Sequence, residues 1–253
     1  PEYATLFSVT KAMVPGDIDN DGDLDMYALR TGIDVTGLEA LDFIYINDGA
    51  GNFSVDTTQV PESEQFRKGF DAKWFDVDGD GWQDVFVVNE RWSDSGPTPG
   101  RDGTFLLRNT AGQLSRDDAD CHCELDLDGM GVDIADVDGD GRPDIYVSAS
   151  INNILLQQLD DGSYVDTSLV TGADPLDGTL LTMGWGAIFL DFDNDGRQDI
   201  LVAEGDLWHP FSTDPVVVDL PMNLLHQVES PTGIAFEEVS HEYGIDLMGS
   251  WRS

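Results

Sequence analysis

One nine-residue pattern, D-x-D-x-D-G-x-x-D, occurs four times in 253 residues and constrains the chain more than any other feature. It reads DIDNDGDLD at Asp17–Asp25, DVDGDGWQD at Asp76–Asp84, DVDGDGRPD at Asp136–Asp144 and DFDNDGRQD at Asp191–Asp199. The starts lie 59, 60 and 55 residues apart, an internal repeat whose period must equal one structural unit. The flanks repeat as well. Short apolar runs precede the copies, as in Ala72–Phe75, Val132–Ala135 and Ala187–Leu190; in the first copy Ala12–Val14 is interrupted by Pro15-Gly16. β-Branched and aromatic runs follow at Met26–Leu29, Val85–Val88, Ile145–Val147 and Ile200–Val202, which reads as strands covered on both faces. Third runs lie at Phe43–Ile46, Phe105–Leu107, Ile154–Leu156 and Leu224-Leu225. Fourth strands are expected from Phe53, Leu114, Tyr164 and Phe236, the last after a longer route through Pro231-Thr232-Gly233. Strand, acidic bend, strand, loop, strand, turn, strand every ~60 residues describes a four-stranded antiparallel propeller blade. The expectation is an all-β, single-domain β-propeller with blades over roughly 9–58, 69–118, 130–168 and 184–240 and little helix.

The acidic bend opposes itself electrostatically unless a cation fills it. Side chains at positions 1 (Asp17, Asp76, Asp136, Asp191), 3 (Asp19, Asp78, Asp138, Asp193), 5 (Asp21, Asp80, Asp140, Asp195) and 9 (Asp25, Asp84, Asp144, Asp199) are the expected metal ligands. Position 7 is expected to offer its main-chain carbonyl, so its side chain is free to vary: Asp23, Trp82, Arg142, Arg197. Position 6 is always Gly and position 4 always Asn or Gly, the types that tolerate a left-handed backbone and let a bend wrap an ion. A hard, oxygen-rich cage of irregular geometry suits Ca2+, which takes about six to eight oxygens, better than Mg2+, which keeps its waters. Four Ca2+ sites are expected, with a scaffolding role. An EF-hand is excluded, because position 12 is Ala28, Val87, Val147 or Val202 rather than a bidentate Glu. The rival is a set of unfilled acidic turns in a salt-adapted protein, which would not require Gly or Asn at fixed places.

The bend between two strands resembles the FG-GAP/VCBS repeats of integrin-α-type propellers. Met183–Ala187 leading into Asp191–Gly196, followed by Asn223-Leu224-Leu225, looks most like FG-GAP proteins that carry an ASPIC/UnbV module. The resemblance covers nearly the whole chain and implies calcium at the positions named above. That family usually closes its ring with seven or so blades, so further blades are expected in the same gene product or on another chain; the alternative is a closed four-blade ring, in which each blade must subtend a wide angle. Met248–Trp251, which repeats the look of Met183–Trp185, points the same way.

Net charge bounds the partners. With 50 Asp+Glu against 12 Lys+Arg the chain carries −38, a field that repels nucleic acid and anionic membrane. No apolar run reaches the ~20 residues of a membrane span. The expected partner is a protein or a glycan, outside the cytoplasm (secreted, cell-surface or periplasmic), where calcium is plentiful. The variable segments Thr31–Leu41, Arg91–Gly103 and Gly205–Pro221 are the expected surface for it. No hydrolase, metalloprotease or nucleotide motif is present, and His122, His209, His226 and His241 are scattered, so no catalytic role is expected. Two rivals remain: a polysaccharide lyase or hydrolase on a calcium-bearing propeller, and a structural subunit of a filament or surface layer. Trp92, Trp208 and Trp251 read as packing between blades or as sugar platforms. The sequon Asn52-Phe53-Ser54 falls at a strand turn. Cys121 and Cys123 read as a local disulfide or two quiet thiols; with only His122 beside them a metal-thiolate site is disfavoured.

Overall fold

The computed structural model describes residues 7–33, 42–61, 69–90, 103–117, 121–150, 152–174, 183–205, 222–231 and 233–245. These form four antiparallel four-stranded sheets, one per repeat, each with its strands in sequence order. The first holds β1 (Phe7–Gly16), β2 (Asp25–Ile33), β3 (Phe43–Asn47) and β4 (Phe53–Asp56). The second holds β5 (Gly69–Phe75), β6 (Asp84–Asn89), β7 (Phe105–Thr110) and β8 (Gln113–Arg116). The third holds β9 (Gly129–Ala135), β10 (Asp144–Ala149), β11 (Ile154–Gln158) and β12 (Tyr164–Asp166). The fourth holds β13 (Met183–Leu190), β14 (Asp199–Gly205), β15 (Asn223–Ser230) and β16 (Gly233–Glu238). The one helix among the described residues, α1 (Ser168–Thr171), is a single turn. The chain is all-β.

The chain divides into two compact units, Pro1–Gly129 with Asp160–Ser163, and Met130–Leu159 with Tyr164–Ser253. Each contains two of the blades. In the first, Tyr27, Leu29 and Ile44 of one sheet pack with Ala72, Val85, Val87, Phe105 and Leu107 of the next. In the second, Tyr146 and Leu155 pack with Ala187, Ile200, Val202, Leu225 and Phe236. The inner strands β6 and β10 are buried along their whole length, which explains why their sequences run apolar without alternation.

Two local expectations differ from the structure. Pro15-Gly16 does not interrupt the first strand; Pro15 pairs with Met26 and Gly16 with Asp25. β1 is an outer strand of its sheet, where a missing N–H costs no ladder bond. Gly16 is needed there because a Cβ would come within 2.5 Å of the Trp74 ring, whose Nε1 donates to the Val14 carbonyl at 3.1 Å. The last hairpin is tight rather than long. Ser230 pairs with Gly233, so β16 starts three residues before Phe236.

Cys121 and Cys123 form a disulfide, which resolves the alternatives left by the sequence. Their segment is tied to the start of β7, where Thr104 Oγ1 donates to the Cys123 carbonyl at 3.0 Å and Thr104 N to that of Leu125, also at 3.0 Å.

Candidate metal centre

Each acidic bend closes the hairpin between the first and second strands of its sheet. Register places the residue before position 1 opposite position 9: Gly16 pairs with Asp25, Phe75 with Asp84 and Leu190 with Asp199. Between them the backbone turns left-handed twice. Position 4 has φ of 57° at Asn20, 76° at Gly79, 77° at Gly139 and 62° at Asn194. Position 6 lies between 87° and 92° in all four bends.

Backbone donors then orient the carboxylates. The position-6 N–H donates to the position-1 carboxylate (Gly22 to Asp17 at 3.1 Å, Gly81 to Asp76 and Gly141 to Asp136 at 2.9 Å, Gly196 to Asp191 at 3.0 Å). The position-5 N–H donates to position 3, at 3.1–3.3 Å across the four bends. The position-7 N–H donates to the position-5 carboxylate, at 2.8–2.9 Å.

Position 9 is the anchor. Asp25, Asp84, Asp144 and Asp199 are 0–2% exposed. One oxygen of each accepts the N–H of position 2 (Ile18, Val77, Val137, Phe192) at 3.0–3.1 Å. The other accepts an N–H of the third strand (Asn47, Asn109, Gln158, Gln227) at 2.7–2.9 Å. The carboxylate therefore fastens the bend to the third strand of its sheet, a role not legible from spacing because it depends on strand pairing. Burial pushes Asp84 up to about 6 and Asp144 up to about 7 against the pull of those N–H donors, and raises Asp25 and Asp199 in the same direction. Burial, then the neighbouring Asp21 and Asp140, raise Asp19 and Asp138.

The carboxylates of positions 1, 3 and 9 converge in every bend, each offering one oxygen within 4.8 Å of the others: Asp17, Asp19 and Asp25; Asp76, Asp78 and Asp84; Asp136, Asp138 and Asp144; Asp191, Asp193 and Asp199. Position 5 lies outside this trio. Asp140 and Asp195 instead pair with the position-7 side chains Arg142 and Arg197. Asp195 also groups with Asp193 and His226. The sequence shows His226 only as one of four scattered histidines, yet its Nε2 lies 3.3 Å from Asp193 Oδ2. The signal was its offset: Arg108, Gln157 and His226 each follow a Leu-Leu pair in the third strand, and Arg108 and Gln157 reach position 3 as well, at 2.9 Å (Asp78) and 3.1 Å (Asp138). The donor set fits a hard divalent cation. It is made of carboxylate oxygens, and in the first bend the buried Asp17 Oδ1 has no hydrogen-bond partner.

Of the other residues singled out in the sequence, His122 takes a left-handed backbone, φ 51°. Trp92, Trp208, Trp251, His209 and Met248–Trp251 lie outside the described residues, as do 34–41, 91–102 and 206–221 of the variable segments.

Comparison with known proteins matches the pattern of FG-GAP-like repeats to residues 17–87, 76–147 and 136–202. Cartilage acidic protein 1 of Xenopus tropicalis is 26% identical over 197 residues, which is 73% of this chain and 29% of that protein. Two structures of an exo-β-1,3-galactanase from Phanerochaete chrysosporium superpose with a TM-score of 0.44 at 11% and 12% identity, over 92% of this chain and 54% of theirs. The chain thus spans less than a third of the curated relative and about half of those structures.

Proposed function

Because the chain belongs to the FG-GAP-like repeat family, we propose that it is a calcium-stabilised, extracytoplasmic β-propeller segment that binds a protein or glycan partner rather than catalysing a reaction. The observation that carries the calcium reading is the fourfold convergence of positions 1, 3 and 9 within 4.8 Å. Unfilled acidic turns would have no reason to bring the same three carboxylates together in every repeat. Positions 1, 3 and 9 would hold the ion, with positions 5 and 7 as the remaining family positions. When bound, the ion supplies the positive charge that lets the aspartates stay ionised at close range.

The chain's residues do the rest. Position 9, itself the first residue of the second strand, ties each bend to the third strand by accepting one backbone N–H from each. A rigid hairpin then carries the loops that meet a partner. Two features support placement outside the cytoplasm: the Cys121–Cys123 disulfide, which suits an oxidising compartment, and all-oxygen sites that fill where calcium is abundant. Among the described residues no helix is long and apolar enough to cross a membrane.

Thermal unfolding in EGTA against saturating CaCl2 tests the calcium reading. Each site at 100 times its Kd adds ~2.7 kcal/mol, so several sites shift the midpoint by many degrees. A melting curve indifferent to calcium, with no metal found by elemental analysis, would refute it.

A further inference from the structure

We infer that the four bends differ in their hold on the cation, and that the first, Asp17–Asp25, fills first and most tightly. The inference rests on the calcium reading above; what is new is which residues of this chain set the order.

Three of the four bends already have a guanidinium against an aspartate. In the second, Arg108 Nη1 lies 2.9 Å from Asp78 Oδ2 and 4.0 Å from Asp84 Oδ2, touching two of the three converging carboxylates. In the third and fourth, Arg142 pairs with Asp140 and Arg197 with Asp195. These arginines are anchored from behind and so are held in place: Arg108 Nε donates to Asp117 at 2.7 Å, Arg142 Nε to the Gln158 carbonyl at 3.1 Å and Arg197 Nε to the Gln227 carbonyl at 3.0 Å.

The first bend is built differently. Its position 7 is Asp23, and the third-strand place of Arg108 is taken by the neutral Ile46. Among the described residues no Lys or Arg lies within 4.0 Å of its aspartates. It therefore holds five carboxylates and no cation, whereas each of the others holds four carboxylates and one guanidinium. Its position-1 carboxylate also differs. Oδ1 of Asp76, Asp136 and Asp191 accepts the position-5 N–H at 3.0–3.1 Å, whereas the buried Oδ1 of Asp17 accepts nothing. Ligand charge sets the affinity of carboxylate calcium sites. A fixed positive charge a few Å from a divalent ion weakens binding about tenfold even at water-like screening.

The test is calorimetric titration of the whole chain with CaCl2 after removal of chelator, with terbium luminescence as a second readout. Trp82 stands at position 7 of the second bend, and the emission that Trp82→Phe removes is its share, separate from that of Trp74 beside Gly16 and the first bend. The expected isotherm has one tight ion and a weaker class. Asp19→Asn abolishes the tight step and leaves the weaker class. Arg108→Gln strengthens one weak step about tenfold and moves the Trp82-sensitised emission to lower terbium, and Arg142→Gln strengthens another weak step without moving that emission. Four indistinguishable sites, a tight step that survives Asp19→Asn, or arginine variants that bind no better would overturn the ranking while leaving the calcium reading intact. No heat and no sensitised emission at any concentration would overturn both.

Discussion

Asp144 provides the sharpest test of the anchoring role assigned to position 9. Its two oxygens accept the N–H groups of Val137 at 3.0 Å and Gln158 at 2.9 Å, and the residue is 1% exposed. Asp144→Ala leaves both N–H groups without acceptors in a place water reaches poorly. An unsatisfied buried donor costs about 1–3 kcal/mol. Relief from burying a carboxylate that is pushed up to about 7 offsets most of this at pH 8 but only ~2 kcal/mol of it at pH 5.5, so the expected net loss is ~2 kcal/mol at pH 5.5 and shrinks as pH rises. That is a large share of the ~5–15 kcal/mol that holds a typical domain. The distinguishing point is that the loss is expected without metal. Asp138→Ala, at an exposed position whose carboxylate reaches beyond its bend through a solvent-exposed contact with the Gln157 amide, is expected to match the parent chain in EGTA and fall behind only in calcium. Equilibrium urea denaturation of the three proteins at pH 5.5, each in EGTA and in CaCl2, gives the comparison. If Asp144→Ala unfolds with the parent's midpoint in EGTA, the carboxylate is a metal ligand and nothing more, and the anchoring argument fails.

Two further outcomes are expected. Without metal, stability should rise as pH falls from 8 to 5.5. Asp84 and Asp144 have folded values raised to about 6 and about 7, above the usual 3.8, so their stabilising protonation is complete below that value and lost as pH climbs through 6 and 7. Saturating calcium should flatten the trend by holding them ionised, and urea midpoints across this range would show a flat metal-free profile if the reasoning is wrong. Gly131→Ala should destabilise by about 1–3 kcal/mol, since the new Cβ would stand 2.7 Å from Gly186 Cα and 3.2 Å from Ala187 N, backbone that cannot swing aside; an unchanged melting temperature would contradict this packing.

The repeat was legible because its information is local. Asp at alternate places with Gly at position 6 specifies the bend, and β-branched runs on either side specify the hairpin. The residues that distinguish one bend from another were not legible. Arg108, Gln157 and His226 act at aspartates 19 to 33 residues away in sequence, and only strand pairing brings them there. The position-9 carboxylates look like a fourth equivalent ligand in the sequence, yet their two oxygens are engaged by backbone, one from the bend and the other from the third strand. Arg142 and Arg197 read as indifferent side chains on a carbonyl donor, because a sequence does not show that position 7 folds back over position 5.

A last consequence follows from two amides. Asn109 Nδ2, in β7, donates to the Ile18 carbonyl of the preceding blade at 2.8 Å, and Gln227 Nε2, in β15, does the same to Val137 at 2.8 Å. The donor and its acceptor lie about one and a half periods apart along the chain, so the smallest stretch that carries a complete tie is longer than one blade. Duplication or loss of whole periods preserves every tie, whatever the starting point. An insertion or excision of any other length severs one, and in that sense the lattice of amides imposes a reading frame on how such a chain can lengthen or shorten in evolution.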